Sequence, residues 1–278
     1  GGRLMRSRGR ITALILNLTA IILSLIFIIP MVVIFINSFK SPAESNTMSM
    51  RLPTEWMFEN YSVVVERGKV FASFLNSFCY AACSAILIVV LVAMAAFVLS
   101  RNRSGINRFI YYFIILGIAM PVSNVPLMKV MKALHIINTR PGIILLYAAI
   151  NIPISLFIVY GFVASIHKEI DEAAIIDGCT PIQLFTRVII HLLKPALVTI
   201  FVLNFMGVWN DFTMPLYYLN NSRKWPMTLA VYNFFGMYER QYNLVCADIV
   251  LTMYPVLLIF ILGQKYIVGG ISTGAVKG

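Results

Sequence analysis

The sequence is poor in charge, and this shortage is the first guide to its class. Of its 278 residues 12% are charged and 60% are hydrophobic, whereas an ordinary soluble domain carries about 25% charged residues. The charges are also segregated, because only Asp211 and Lys265 fall inside the six longest apolar stretches. This composition excludes an ordinary soluble enzyme and indicates a protein whose solvent is largely lipid.

Residues able to do chemistry are equally scarce. The four cysteines are scattered, so they predict neither a zinc site nor a disulfide framework. The three histidines lack the acidic partners of a metal centre. The sequence also has no glycine loop of the Walker type and no recognisable nucleophile and base. We therefore predict a protein that is not an enzyme, with no catalytic residues, no metal site and no cofactor of its own.

Each of the six apolar stretches has the length that crosses a bilayer, about 20 residues. We predict an all-α membrane protein with six transmembrane helices over residues 11–36, 78–99, 109–126, 143–164, 196–218 and 249–267. The first stretch is too long for a signal peptide and lacks a small-residue cleavage site, so we interpret it as a retained helix.

Basic residues beside the first span predict the orientation. The four that precede it are Arg3, Arg6, Arg8 and Arg10. They place the N-terminus in the cytoplasm, and six spans return the C-terminus to the same side. The net charge of +11 does not indicate nucleic-acid binding, because the basic residues form no aromatic-interleaved stripe. The predicted divisions are a cytoplasmic N-terminus (1–10), a six-helix domain (11–268) with a cytoplasmic loop (165–195), and a cytoplasmic tail (269–278).

Prolines and polar side chains interrupt the spans, and two interpretations stay open. Prolines remove backbone donors and bend helices, and the ones in the spans are Pro30, Pro121, Pro126, Pro153, Pro215 and Pro255. These features either adjust packing between helices or line a path for a solute. The candidates for such a path have a polar or aromatic side chain at membrane depth: Asn151, Asn204, Trp209, Asn210, Asp211 and Tyr254.

The predicted cytoplasmic loop contains the clearest local signals. Acidic residues crowd the start of a helix predicted over residues 168–177, where the helix dipole favours anions, and Gly178 follows at the position of a left-handed C-cap. Thr180, Pro181 and Gln183 fit the N-cap, first position and capping box of a second helix. Apolar side chains on both helices must be covered, either by the protein's own spans or by a partner.

Residues 172–196 resemble the EAA motif of permease subunits of binding-protein-dependent ATP-binding-cassette importers. The residues that match at the family's spacing are Glu172, Ala173, Ala174, Asp177, Gly178 and Phe185. The sequence departs from the family where His167, Cys179 and His191 replace its more usual Pro, Ala and Pro. The resemblance extends over nearly the whole chain to the shorter subunit of the maltose-type carbohydrate permeases, through residues 76–78, 120–121, 138–139, 209–212 and the tail 269–278.

This resemblance implies both partners and function. It implies the type I importer permease fold in a bacterial inner membrane, paired with a homologous second permease. Two ATPase subunits that hold ATP and Mg would bind on the cytoplasmic side, and a solute-binding protein would dock outside. The EAA residues would couple ATPase motion to transport, and the tail, with Gly274 and Lys277, would contact the ATPases. The expected function is import of a sugar or oligosaccharide.

Other functions remain possible at this stage. A permease for a non-sugar solute would carry the same EAA motif. A stand-alone secondary transporter would use Asp211 in an ion site, but such proteins usually have further inward-facing acids or an inverted repeat. A membrane-embedded enzyme would need a convergent acid–base or metal set, which the sequence lacks.

Overall fold

The computed structural model describes residues 2–102, 104–234 and 241–275, and the side chains of 15–102, 104–234 and 241–264. In these ranges all regular structure is helical. In chain order the helices are α1 (Gly2–Asn37), α2 (Pro42–Ser45), α3 (Glu59–Arg67), α4 (Val70–Arg101), α5 (Gly105–Ala119), α6 (Asn124–Ala133), α7 (Arg140–Ser165), α8 (Lys168–Ile176), α9 (Pro181–Gln183), α10 (Ile190–Asn210), α11 (Thr213–Tyr218), α12 (Met227–Ala230) and α13 (Tyr242–Ala275). The predicted all-α class is confirmed.

Five helical stretches are long and apolar enough to cross a membrane, and they correspond to five of the six predicted spans. They are Ile15–Asn37, Val70–Arg101, Arg140–Ser165, Pro181–Asn210 and Tyr242–Gln264 among the described residues. The remaining predicted span corresponds to α5, which is apolar but has 15 residues. At 1.5 Å per residue this helix is about 22 Å long, shorter than the hydrocarbon core of about 30 Å.

The predicted C-terminal end of the third span, residue 126, is wrong, and a proline is the reason. A residue that precedes proline is displaced from the α region. Met120, which precedes Pro121, is extended with a ψ of 123°, and α5 ends at Ala119. Pro126 lies in the first turn of α6. Both prolines therefore lie outside α5 and bend no spanning helix.

The fifth span also ends earlier than predicted. Helix α10 ends at Asn210, and Asp211 is extended with a ψ of 130°, so Pro215 lies in the separate α11. The Asp211 carboxylate accepts hydrogen bonds from the backbone N–H groups of Thr213 at 3.1 Å and Met214 at 3.0 Å. It thereby satisfies donors at the start of α11, as a capping carboxylate does.

The first and last helices are longer than the apolar stretches that predicted them. Helix α1 begins at Gly2, so most of the predicted N-terminal segment is helical. Helix α13 continues to Ala275, into the predicted tail 269–278. Once a helix has formed, each added residue gains a hydrogen bond without a new nucleus, so long apolar helices continue into polar flanks.

Residues 1–70 and 231–252 form one compact unit. Its apolar core consists of Val64, Phe234, Leu244, Val245 and Ala247. The buried Asn60 links three parts of the unit. Its amide donates to the carbonyls of Ser38 and Lys40, both at 2.9 Å, and its Oδ1 accepts from the Asn243 amide at 2.8 Å. Paired amides of this kind satisfy polar groups that burial removes from water.

Polar contacts also hold the segment that follows α1. Lys40 is 2% exposed, and its ammonium donates to the carbonyl oxygen of Ser49 at 2.7 Å and to the Ser49 hydroxyl at 3.0 Å. Nearer the surface, the Thr54 hydroxyl donates to Glu44 at 2.6 Å, and this hydrogen bond lowers the pKa of the Glu44 carboxyl. The segment is therefore an ordered part of this unit.

Residues 71–230 and 253–278 form the second unit. Helix α7 packs against both α5 and α10. The core includes Ile88, Val92, Leu156, Val159, Ile189 and Leu193. It continues into α8, because Ala174 belongs to the same cluster, as does Leu184 near the start of the Pro181–Asn210 stretch.

The segment between α11 and α12 is attached to α4 in the same unit. The Asn76 amide donates to the carbonyls of Arg223 at 3.0 Å and Trp225 at 3.1 Å, and the Tyr80 hydroxyl donates to the Lys224 carbonyl at 2.8 Å. Asn76 belongs to the 76–78 motif. Its side chain thus satisfies two backbone carbonyls at the end of the short 3₁₀ turn Ser222–Lys224.

The start of α7 is packed so closely that it tolerates no side chain at Gly142. A Cβ there would lie 1.9 Å from the Ile136 carbonyl oxygen and 2.8 Å from the Thr139 hydroxyl. We expect Gly142→Ala to lower the free energy of unfolding by about 1–3 kcal/mol, the usual cost of overpacking. Thermal denaturation in detergent measures this. Gly161→Ala in the same helix is the matched control, since its Cβ would meet no atom within 4 Å; equal melting temperatures for both variants would contradict the expectation.

Candidate functional site

The 165–195 loop folds as the sequence predicts. The helix predicted over residues 168–177 is α8, which ends at Ile176 with Asp177 as its C-cap. Gly178 has a φ of +82°, in the left-handed region. The N–H of Gly178 donates to the Ile175 carbonyl and that of Cys179 to the Ala174 carbonyl, both at 3.0 Å. These bonds close the sharp turn after α8.

The second helix of the loop also begins as predicted. The Thr180 hydroxyl accepts from the Gln183 N–H, the Gln183 side chain accepts from the Thr180 N–H, and Pro181 is at the first position, which completes a capping box. The helical path then passes through a π-helical stretch, Leu184–Ile189, and continues without interruption into α10. The π-helical stretch was not predicted, because hydrophobic spacing does not distinguish it from an α-helix over one turn.

The two helices have a buried side and an exposed side. Ala174 is 8% exposed and Leu184 is 6% exposed, within the core of the second unit. Phe185 is half-buried and packs on Phe97, with ring centroids 5.3 Å apart. In α8, Asp171 and Ala174 lie three residues apart on one face, and the Asp171 carboxylate lies 2.6 Å from Arg101 at the end of α4.

The exposed side carries the remaining apolar residues of the loop and an acid. Ile176 is 85% exposed and Ile182 is 76% exposed, and both Glu172 and Ala173 are exposed. We call these four residues the coupling surface. Cover by the chain's own spans therefore holds for Ala174 and Leu184. The coupling surface is left open by this chain, and its cover by a partner stays a prediction.

Most of the candidates for a solute path have structural partners. Tyr147, Asn151 and Ser155 lie on one face of α7 at a spacing of four residues. The Tyr147 hydroxyl donates to the Asp211 carboxylate at 2.8 Å, and the Asn204 amide donates to the Ser155 hydroxyl at 3.0 Å. We call these two pairs the polar seam between α7 and α10. In both pairs a polar side chain is satisfied by one from another segment, as polar groups in membrane spans commonly are. The Asn151 amide instead donates to the Tyr147 carbonyl within α7 at 2.9 Å.

The other candidates differ in exposure. Trp209 is 1% exposed; its ring stacks on Phe205 at 5.8 Å and contacts Phe74 edge-on at 5.7 Å. Asn210 is exposed, and Tyr254 is 64% exposed. The structure thus does not gather the six candidates into one pocket. A groove of about 430 Å³ between α4 and α10 is lined by other residues: Val89, Ile190, His191, Lys194, Leu197, Val198 and Phe201.

The predicted tail residues are only partly placed. Gly274 lies in the last turn of α13, and Lys277 lies outside the described residues. The structure therefore assigns no contact to either residue.

Comparison with known proteins identifies the class. Residues 2–272 match the family of binding-protein-dependent transport system inner membrane components, and the chain belongs to this family. It is 35% identical over 256 residues to the diacetylchitobiose uptake system permease protein NgcG of Streptomyces coelicolor. That alignment covers 91% of this chain and 85% of NgcG. It is 30% identical over 267 residues to the melibiose/raffinose/stachyose import permease protein MelC of Bacillus subtilis, covering 95% and 96% of the two chains.

The fold leads to the same class. A chain of a bacterial ABC transporter involved in the import of the acidic polysaccharide alginate superposes with a TM-score of 0.81 at 24% identity, covering 92% of this chain and 96% of that one. A chain of the alginate transporter in complex with a periplasmic protein bound to an alginate pentasaccharide gives a TM-score of 0.62 at 13% identity, covering 75% and 81%. The predicted family and the predicted importer permease fold are confirmed, and the chain is a multi-pass membrane protein.

The turn after α8 depends on glycine. At a φ of +82° a residue with a Cβ is strained by about 1–2 kcal/mol, so we expect Gly178→Val to open the two hydrogen bonds that close the turn. Hydrogen exchange of the amides in residues 175–180 should then become several-fold faster, whereas Gly178→Asn, which tolerates this conformation better, should change it less. Gly105→Ala is the control, since its Cβ would meet no atom within 4 Å. Unchanged exchange in Gly178→Val would contradict the role of the turn.

Proposed function

We propose that the chain is the membrane permease subunit of an ATP-driven importer that moves a sugar or oligosaccharide delivered by a solute-binding protein. Membership of the binding-protein-dependent family supports the delivery step. The sugar class is supported by the relatives, which include permeases named for diacetylchitobiose, for starch degradation products in Thermoanaerobacterium thermosulfurigenes, and for melibiose, raffinose and stachyose. Each relative is at least 30% identical over most of its length.

The observation that carries the coupling role is the coupling surface itself. Ile176 is 85% exposed and Ile182 is 76% exposed, and Glu172, one turn before Ile176, is exposed as well. Ile182 lies at the start of the Pro181–Asn210 stretch, which has 30 residues. That stretch is about 45 Å long, longer than the hydrocarbon core of about 30 Å, so we propose that its first turns project from the bilayer together with α8.

Exposed apolar side chains with a polar rim are typical of an interface with another protein. We propose that an ATPase subunit covers this surface and that Glu172 pairs with a basic residue of that subunit. Asp177, Gly178 and Phe185 hold the surface in place.

The rest of the assembly follows from this proposal. A second, homologous permease completes the transmembrane pathway, and two ATPase subunits bind ATP and Mg, so this chain transmits energy without catalysing hydrolysis. Gly274 and Lys277 are proposed as tail contacts to the ATPases. Among the path candidates, Asn210 and Tyr254 are proposed to contact the solute, because their side chains are exposed. Asn151, Asn204, Trp209 and Asp211 are proposed to shape the pathway by holding its helices.

The coupling surface gives a direct test of the proposal. We expect Glu172→Arg to reduce the amount of ATPase subunit that co-purifies with the chain about tenfold or more, because a charge-assisted hydrogen bond contributes about 1.5–3 kcal/mol and is replaced by repulsion. Transport should fall with it, while membrane insertion stays normal. Pull-down followed by quantitative mass spectrometry measures the loss.

The matched control is Glu66→Arg, an equal charge reversal at an exposed glutamate of α3, which should leave ATPase co-purification unchanged. Full ATPase retention in Glu172→Arg would overturn the assignment of the coupling surface.

The proposed orientation can be tested separately. The N- and C-termini and the coupling surface should lie in the cytoplasm and α3 should lie outside, as the basic residues before α1 indicate. In a variant whose four cysteines are serine, an impermeant thiol reagent is added to cells whose outer layers admit it but whose inner membrane is intact. It should label Glu66→Cys and spare Lys168→Cys, an exposed position of α8 outside the coupling surface. After the inner membrane is permeabilised both should react. Labelling of Lys168→Cys while the inner membrane is intact would contradict the proposed topology.

A further inference from the structure

Arg101, the last residue of α4, joins three helical segments of the second unit. One terminal nitrogen of its guanidinium donates to the carbonyls of Val163 and Ile166, both at 3.2 Å. The other terminal nitrogen donates to Asp171 Oδ1 at 3.2 Å, and Nε lies 2.6 Å from Asp171 Oδ2. We call this set of contacts the Arg101 bridge.

Each contact of the bridge has a physical reason. Val163 lies in the last turn of α7 and Ile166 is its C-cap. The Val163 carbonyl also accepts from the Ile166 N–H at 3.2 Å, and carbonyls at a helix C-terminus favour a cation. Asp171 lies in the first turn of α8, where a carboxylate is favoured. The planar guanidinium offers five donors in a fixed geometry and can meet these acceptors together. A lysine, with a single ammonium centre, cannot.

Burial makes the bridge stronger than an ordinary surface pair. The side chains of Arg101 and Asp171 are 14% and 13% exposed, so water screens them little. Within the described part of the chain this is the only side-chain ion pair. Among the described residues it is also the only side-chain hydrogen bond or ion pair that joins α8 to another element. Helix α8 also packs against the π-helical stretch Leu184–Ile189. The bridge adds a direct polar connection from α8 to the ends of α4 and α7.

We propose that the Arg101 bridge is the positioning device that makes α8 move as one rigid body with α4 and α7, so that ATPase motion reaches the spanning helices. This inference rests on the proposed function of the coupling surface. Asp171 faces away from that surface: Ala173 and Ile176 lie three residues apart on the opposite side of α8. Breaking the bridge therefore leaves the partner's contact residues in place but loosens the connection behind them.

The bridge gives Arg101 a second role. In the proposed orientation the C-terminal end of α4 lies on the cytoplasmic side, where basic residues such as Arg101 contribute to the charge bias that orients the spans. For that purpose any lysine would serve equally. The bridge needs an arginine, so orientation and coupling respond differently to the same substitution.

The first test measures rigidity in the assembled importer, in nanodiscs. Spin labels at Lys168→Cys in α8 and Met94→Cys in α4, both exposed positions outside the coupling surface, are placed in a background whose four native cysteines are serine. With Arg101 and Asp171 present, we expect one narrow distance distribution that ATP with vanadate leaves unchanged. Asp171→Asn and Arg101→Lys should each broaden the distribution or shift it when ATP and vanadate bind. Glu169→Gln, which removes a carboxylate from the same turn, should leave it narrow.

The second test measures communication across the membrane. If the spans carry the signal, the cognate binding protein added outside should stimulate ATP hydrolysis, and we expect Asp171→Asn to lower the ratio of stimulated to unstimulated rates at least fivefold. ATPase co-purification should remain at the level of the unchanged chain. A merely structural role would instead lower assembly and leave the ratio of the surviving complexes intact. In the double variant Arg101→Ala/Asp171→Ala, this ratio should fall no further than in the more severe of the two single variants, since the two residues act as one unit.

The outcomes separate this inference from the proposed function. If Glu172→Arg removes the ATPases but Asp171→Asn keeps both a narrow distance and a normal stimulation ratio, the bridge has no positioning role and the inference is overturned. If Glu172→Arg leaves the ATPases bound, the coupling surface itself is misassigned. The inference is supported if the ratio of stimulated to unstimulated ATP hydrolysis falls in Asp171→Asn but stays normal in Asp171→Glu, which keeps the carboxylate.

Discussion

The polar seam between α7 and α10 is the interaction around which the second unit is organised. Inside a bilayer a polar side chain has no water with which to form hydrogen bonds. Asn204 is therefore satisfied by Ser155, and Tyr147 by Asp211. These pairs fix which faces of the two helices meet. Once α7 is fixed against α10, its opposite side packs on α5, and its C-terminal carbonyls come within reach of Arg101. The position of the 165–195 loop therefore depends on how α7 is held within the membrane.

One side of the 165–195 loop is buried and the other is left exposed by this chain. Ala174 of α8 and Leu184 belong to the same core cluster as the long helices, so the loop has no separate core of its own. Its other side presents Ile176 and Ile182, which this chain does not cover. A rigid segment that shares its core with the spans is mechanically suited to passing displacement from a partner to the membrane helices. A flexible loop would absorb the same displacement.

Local structure in the loop was predictable because local chemistry determines it. A capping box and a left-handed glycine act over four or five residues, and they predicted the bounds of α8 and the start of α9 within one residue. The span ends were less predictable. Hydropathy treats the apolar residues before and after Pro121 as one stretch. Because Met120 precedes a proline, its backbone leaves the helix, so α5 is shorter than the apolar stretch that predicted it. The seam partners of Asp211 and Asn204 were beyond prediction, since pairs such as Tyr147 and Asp211 are distant in sequence.

The sequence by itself determined the solvent, the number of apolar segments, the family and the helix–turn–helix of the loop. Each of these depends only on composition or on the spacing of residues close together in the sequence. Only the tertiary structure decided which loop residues are covered, which polar candidates satisfy one another, and that Arg101 meets Asp171. Those facts depend on how helices that are 60 to 70 positions apart in the chain pack together. The charge deficit thus identified a membrane protein, and packing placed Arg101 at the junction between the membrane helices and the 165–195 loop.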